Sequence, residues 1–451
     1  MNYEDSVSSL LALGRELAAP QQARVQKFGL ENISALAADL GNPHRAIPCA
    51  HIAGTNGKGS TAALLEAILR HAGQRTGLYT SPHLESINER IRLNGEPVSN
   101  EIFAAAWTRV HASIESLLAS GKLTAHPTFF ECVTAMAFLI FAEQRIAFAI
   151  YEVGLGGRLD STNIVTPEVA IVTPIDFDHE NFLGHSIAEI AAEKAGIIKP
   201  GVKVVSSVTR QEARAVVAQK CAEMQALQVD IDEARHLAEE TSSGGFYRAV
   251  ATSKNSRAKL LLAPSLPGRF QLRNALAAAT AARILSESGK FHIEDRDIER
   301  GIANVRWPGR LEHLSENPHI YLDGAHNPSG ARELLEFWQC DLAGRRIILL
   351  YGAMRDKAVD EIAGILFPHA HEVILTKPRQ PRAISAALLV EITAHLASRE
   401  PAVIADPLQA FDHAIETARG DDAVVVAGSL YLVGDLRSHW RTRRLATPAP
   451  P

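Results

Sequence analysis

Short runs of β-branched and aliphatic residues recur at residues 46–53, 76–80, 146–153, 169–175 and 202–208, separated by longer segments with helical spacing. Uninterrupted apolar runs of this length suit strands covered on both faces, so the pattern predicts a mostly parallel α/β sheet. Between residues 60 and 72, Ala63, Leu64, Ala67, Ile68 and Leu69 fall near one side of a helix that follows a glycine-rich turn. The first unit is therefore strand, loop, helix, strand.

Residues 246–262 read as two strands around a polar turn containing Ser253, Lys254, Asn255 and Ser256, with Pro264 and Pro267 beyond. That predicts an antiparallel appendage on the parallel sheet. Helices are expected at about 274–285 and 295–305, leading to Trp307-Pro308-Gly309-Arg310, where proline opposes continuation. The pattern restarts with apolar runs at 347–351, 372–376, 402–405 and 423–427, a second, Rossmann-like open α/β domain. This gives units at 1–305 and 306–440, with 441–451, basic and then proline-rich, expected as a flexible tail. A prior of about 150 residues per domain would give 451 residues three domains; the pattern supports two larger ones.

Composition narrows the class. A 46% hydrophobic and 22% charged chain is globular rather than disordered or fibrous. Lys plus Arg 46 against Asp plus Glu 51 leaves a net charge of -5, which does not advertise nucleic acid or anionic lipid as a partner. Four scattered cysteines, Cys49, Cys132, Cys221 and Cys340, form no C-x-x-C pair. A reduced, cytoplasmic setting follows. The acidic N-terminus and the lack of an apolar stretch of about 18 residues argue against secretion and membrane spanning.

The strongest chemical signal is Gly54-Thr55-Asn56-Gly57-Lys58-Gly59-Ser60, placed between an apolar run and a helix. Backbone amides and the helix N-terminus can hold phosphate oxygens while Lys58 adds positive charge. The string is a variant of G-x-x-x-x-G-K-[ST], since Gly59 separates the lysine from the Ser60 hydroxyl. An NTPase, a kinase and a ligase would all use such a loop. Glu152 ends an apolar strand before Val153-Gly154-Leu155-Gly156-Gly157-Arg158-Leu159-Asp160, and His179 follows the next strand in Asp176-Phe177-Asp178-His179. Strand ends of open sheets are where ligands gather, so Glu152 is a candidate for magnesium and His179 for metal or acid–base work. Ser81, after the 76–80 strand, is either a metal-ligating hydroxyl or a turn residue before Pro82. By spacing alone Lys194 is a surface lysine of a helix over 187–198.

Taken together, these motifs resemble the folylpolyglutamate synthase family, including its bifunctional dihydrofolate synthases, within the Mur-ligase-like enzymes. The resemblance also rests on Lys27-Phe28-Gly29-Leu30, Thr80-Ser81-Pro82-His83-Leu84, Glu193-Lys194-Ala195-Gly196, Trp307-Pro308-Gly309-Arg310 and Asp323-Gly324-Ala325-His326-Asn327-Pro328. It implies an ATP-dependent ligase that joins L-glutamate to a folate or to dihydropteroate through an acyl phosphate, monomeric, with Mg2+ held by Ser81, Glu152 and His179. It further implies a carbamylated Lys194, catalytic roles for Lys58, Glu152, His179 and Lys194, and nucleotide contacts from Asn274, Arg310, Asp323 and His326. Pterin contacts are implied at Gln26, Lys27, Phe28, Gly29, Leu30, Thr128, Phe129, Phe130, Leu159 and Ser161. Pro174 and Asp176 depart from many relatives, which raises the expectation of an altered second metal environment. Two rival readings are a UDP-muramoyl peptide ligase and an ATP-gated binding protein without turnover.

Overall fold

The computed structural model describes residues 1–14, 29–253 and 259–446. The apolar runs of the first half form one sheet. In spatial order its strands are Glu96–Pro97, Ile91–Leu93, Thr76–Tyr79, Phe148–Glu152, Cys49–Ala53, Val169–Val172, Lys203–Ser206 and Leu227–Asp230. The six from Thr76–Tyr79 onward are parallel, and the first two fold back antiparallel at one edge. Every residue of Cys49–Ala53 and Phe148–Glu152 is buried. Alternation divides them between two cores: Ala50, Ile52, Phe148 and Ile150 face the helix Lys58–His71, while Cys49, Ala149 and Tyr151 face the helix Phe129–Glu143. On the first face, Gly301 of the helix Asp295–Ala303 crosses so near the backbone of Ile68 that a Cβ there would collide with it.

The antiparallel element is a separate sheet rather than an appendage of the parallel one, and it has three strands, Arg235–Ser243, Phe246–Ser253 and Lys259–Leu262. The sequence pattern misses the first of them because nearly all its residues are exposed and it carries no apolar alternation. The expected turn residues Lys254 to Ser256 lie outside the described residues.

The second sheet has the order Glu312–Glu316, His319–Leu322, Ala423–Ala427, Ile347–Tyr351, Glu372–Leu375, Ala402–Val403. Its first pair is antiparallel and the rest parallel. The chain changes sheet between Ala303 and Glu312, across the Trp307 to Arg310 turn. The last helix, Leu430–Ala446, continues through residues 441–446, where the sequence suggests a tail. No helix among the described residues is long and apolar enough to cross a membrane.

Candidate active site

The strand Cys49–Ala53 runs into Gly54, and the chain turns through Gly57, at φ 82°, into the helix Lys58–His71. A side chain at Gly54 would collide with Thr173, and one at Gly57 with Asn274. Space and backbone conformation both demand glycine there. The loop is fastened to the neighbouring strand end: the Thr55 and Asn56 amides donate to the Pro174 carbonyl at 2.8 and 3.3 Å. The Thr55 hydroxyl donates to the Asp176 carbonyl at 2.9 Å and accepts from the Asp176 amide at 3.0 Å. Pro174 and Asp176 thus serve the loop through their backbone, while the Asp176 carboxylate pairs with Arg210 at 2.7 Å.

Lys58 folds back so that its Nζ donates to the Gly54 and Thr55 carbonyls, each at 3.0 Å. Burial lowers its pKa, and Glu152 and Asp178 oppose that shift. Lys194 is buried, not a surface lysine, and its Nζ donates to the same Gly54 carbonyl at 2.9 Å. Burial, followed by the Lys58 charge, brings its pKa down to about 7. Glu152 is buried at its strand end and accepts from the Ser81 amide at 3.2 Å. Burial raises its pKa to about 7 against the opposing pull of Lys58 and Arg310. The glycine turn after it is shaped by Asp160, which accepts from the Gly154 and Leu155 amides at 2.9 and 3.0 Å.

His179 belongs to a second cluster. Lys357, from the loop after Ile347–Tyr351, places its Nζ 2.7 Å from Asp178 and 3.3 Å from the His179 Nε2. His326 Nε2 lies 3.7 Å from the same carboxylate, and its Nδ1–H donates to the Gly324 carbonyl at 2.7 Å. Burial pushes Asp178 up, yet Lys357, His179 and His326 outweigh it and hold the carboxyl well below its ordinary range. Burial and then Lys357 push His179 down to about 3 and His326 to about 4, so both rings are neutral. Asn327 joins the halves, donating to Asn56 of the phosphate loop at 2.9 Å.

The cleft is lined by Gly54 to Ser60, Ser81, Glu152, His179, Lys194, Asn274, Arg310, Asp323 and His326 together. Residues named from the sequence thus converge from both sheets. Asp323 is more engaged than expected of a nucleotide contact, because its oxygens accept from the Leu311 and Ala325 amides, each at 2.8 Å. Asn274 donates to Gln271 at 2.9 Å beside Gly57. Two residues that the sequence motifs do not mark are Glu333, which lines the cleft, and Lys357, which pairs with Asp178 at its edge.

The suggested pterin contacts divide. Phe130 is half-buried, with its ring edge 2.6 Å from where a Gly154 Cβ would project, next to Ser81. Phe129 is a core residue beneath the Arg90 guanidinium, 5.3 Å from its ring centroid. Thr128 caps the helix Phe129–Glu143: its Oγ1 accepts from the Glu131 amide at 3.2 Å. Ser161 is buried and Leu159 half-buried, and neither lines the cleft. Leu30 caps the helix Glu31–Asp39 and Gly29 precedes it, while Gln26, Lys27 and Phe28 lie outside the described residues.

For a divalent cation, the hard oxygens of Glu152 and Ser81 are a suitable pair, since Mg2+ takes one or two carboxylate or hydroxyl ligands and fills the rest with water and phosphate. His179 does not fit that set as placed, because the Lys357 ammonium stands at its Nε2. No group of three His, Cys, Asp or Glu side chains poised for a metal occurs among the described residues.

The phosphate loop and Glu152 end neighbouring strands of the first sheet, and Arg310, Asp323 and His326 from the second half of the chain line the same cleft, an arrangement suited to a nucleotide-using enzyme. Residues 52–282 match the Mur ligase middle domain and residues 309–430 the Mur ligase glutamate ligase domain. The chain is 38% identical to a dihydrofolate synthase/folylpolyglutamate synthase of Bacillus subtilis over 91% of this chain and 94% of that one. It superposes on the folylpolyglutamate synthase of Mycobacterium tuberculosis complexed with ADP and AMPPCP with a TM-score of 0.85 at 29% identity, covering 96% and 99% of the two chains. An FPGS–AMPPCP–folate complex gives a TM-score of 0.83 at 30% identity, covering 99% and 100%. The chain belongs to the folylpolyglutamate synthase/dihydrofolate synthase family of the Mur-ligase-like enzymes, the ATP-dependent acid–amino-acid ligases.

Proposed function

We propose that this enzyme ligates L-glutamate to folates at the expense of ATP, and also makes the first such bond on dihydropteroate. The observation that carries this reading is the convergence of the phosphate loop, Lys58, Glu152 and Lys194 on one cleft in a chain 38% identical to a bifunctional relative. The γ-phosphoryl group moves to a carboxylate oxygen of the pteroyl substrate and ADP leaves. The glutamate amine then forms the C–N bond, and the C–O bond to phosphate breaks as the amine loses its proton. Loop amides and Lys58 oppose charge developing on the phosphoryl oxygens. The cleft between the sheets, with a division near Val305, orients the amine and keeps water out.

Glu152 and Ser81 supply the oxygen ligands for Mg2+, which when bound offsets phosphate charge. His179 would add an imidazole nitrogen to that set only with Lys357 moved from its Nε2, and a carbamate on Lys194 would add negative charge to the same cleft. Asn274, Arg310, Asp323 and His326 contact the nucleotide, and Phe130 the pterin. The site is assembled within one chain, which supports a monomer, and four unpaired cysteines support a cytoplasmic setting.

The test is product mass analysis with dihydropteroate and tetrahydrofolate supplied separately with ATP and L-glutamate. Glutamylated products of both, with stoichiometric ADP and phosphate, are expected. Absence of dihydrofolate would remove the second activity, and turnover only with UDP-muramoyl acceptors would overturn the assignment.

A further inference from the structure

One cleft carboxylate has no part in the chemistry above. Glu333 stands on the second turn of the helix Pro328–Asp341, whose cap, Asn327, is bonded to the phosphate loop. It is half-buried and lines the cleft with Phe270, Leu311 and Leu334. The other acids of the cleft have partners: Glu152 the Ser81 amide, Asp178 the Lys357 ammonium, and Asp323 two backbone amides. Glu333 makes no hydrogen bond or ion pair among the described residues. Burial, reinforced by Asp323 and Glu336, raises its pKa to about 8, with Arg310 opposing. Burial without a donor holds the group largely as the neutral acid near pH 7, and a donor in the cleft would draw it to the carboxylate.

The wall of the cleft shows what that donor belongs to. Asn274 stands against Gly57, and Phe270 lies one turn earlier on the same helix. Phe270 and Leu311 both close over Gly268, and the Leu311 amide bonds Asp323, whose charge acts on Glu333. The path therefore leads from the phosphate cradle along an apolar slab to an acceptor. A nucleotide with phosphates in the loop would lay its flat base on that slab.

We propose that Glu333 reads the nucleoside of ATP, its carboxylate accepting a hydrogen bond from a base N–H or a sugar O–H. This rests on the ATP-dependent ligase reading above and adds a specificity-determining residue to it.

The test is calorimetric titration of the full-length enzyme and its E333A, E333Q and E336Q variants with ADP, IDP and 2′-deoxy-ADP, together with nucleotide-free melting curves. Loss of one charge-assisted hydrogen bond corresponds to about a tenfold weaker affinity, so E333A is expected to bind ADP about tenfold less tightly. E336Q, altered at an exposed position one turn on, only relieves a like charge on Glu333 and binds ADP no more weakly than wild type. Nucleotide-free E333A melts no lower than wild type, which a merely structural residue would not do. The analogue lacking the contacted donor binds wild type about tenfold more weakly and loses nothing further in E333A: IDP for a base amine, 2′-deoxy-ADP for the sugar. ADP affinity of E333A within about twofold of wild type would overturn the proposal, as would a lowered melting temperature with every ligand weakened alike. ADP binding is read without turnover, so absence of glutamylation by wild type would count against the ligase reading alone.

Discussion

The Lys357 ammonium lies 2.7 Å from the Asp178 carboxylate, with both side chains nearly closed to solvent, and it ties a loop of the second sheet to a strand-end loop of the first. Removing one member of a buried pair strands the other charge, so K357M should lower stability at pH 7 by about 3 kcal/mol. The folded pKa of Asp178 is depressed, so its contribution is complete above its ordinary value of about 4 and is lost only as pH falls through the folded value. Without Lys357, burial keeps the carboxyl high and it takes up a proton at pH 4. Chemical denaturation should therefore show a smaller deficit at pH 4 than at pH 7; equal deficits would mean that the stranded charge is not the cause.

Glu152 carries a raised pKa of about 7 from burial, with Lys58 and Arg310 opposing. Between about pH 4 and 7 the folded state holds a proton that the unfolded state has released, so this group lowers stability as pH rises through that window. The E152Q enzyme without ligands should melt higher than wild type at pH 8, with the difference closing toward pH 4. With Glu152 in its proposed role as a magnesium ligand, ligation should fall by about a hundredfold or more in the same variant. Calorimetry of Mg2+ and ATP in buffers of different ionisation enthalpy should show proton release on binding at pH 6 that fades by pH 8 and is missing in E152Q.

Lys194, at a pKa of about 7 lowered chiefly by burial, is a neutral amine at pH 8 and largely protonated at pH 6. Only the neutral amine adds carbon dioxide, forming an N–C bond and releasing a proton. Enzyme stripped of carbon dioxide should regain ligase activity with bicarbonate at pH 8 and far less at pH 6. Intact mass at pH 8 should show the added carbon dioxide, lost on acidification. Activity indifferent to bicarbonate at both pH values would assign the unmodified amine to the reaction.

The phosphate loop and Glu152 were legible because each is a strand end written out in consecutive residues, with glycine where the backbone requires it. Lys357 was not, since it meets Asp178 across 179 residues of sequence and from a different sheet. Lys194 looked superficial because helical spacing records which residues share a face and not what the face packs on. The polar strand Arg235–Ser243 was invisible for the same reason, being paired on one side and exposed along most of its length. Neighbouring residues in a motif also need not share a role, as Asp323 holds the turn of Leu311 through backbone amides while His326, three residues on, faces Asp178.

Phe129 and Phe130 put that last point to the test. Phe129 is 4% exposed in the core beneath Arg90, so F129A leaves a cavity and should cost about 3–5 kcal/mol of stability. Phe130 packs at 6.0 Å from the Tyr79 ring and presents its edge to Gly154, which lines the cleft with Ser81. F130A should raise the KM for the pteroyl substrate about tenfold, as expected for losing one aromatic contact face, with kcat changed far less and a smaller loss of melting temperature than F129A. G154A should share its kinetic phenotype, because a Cβ there would push into the Phe130 ring at 2.6 Å. Steady-state kinetics and melting curves on the three variants separate the roles. A KM effect in F129A at unchanged stability, or none in F130A, would move the pterin contact from the second phenylalanine to the first.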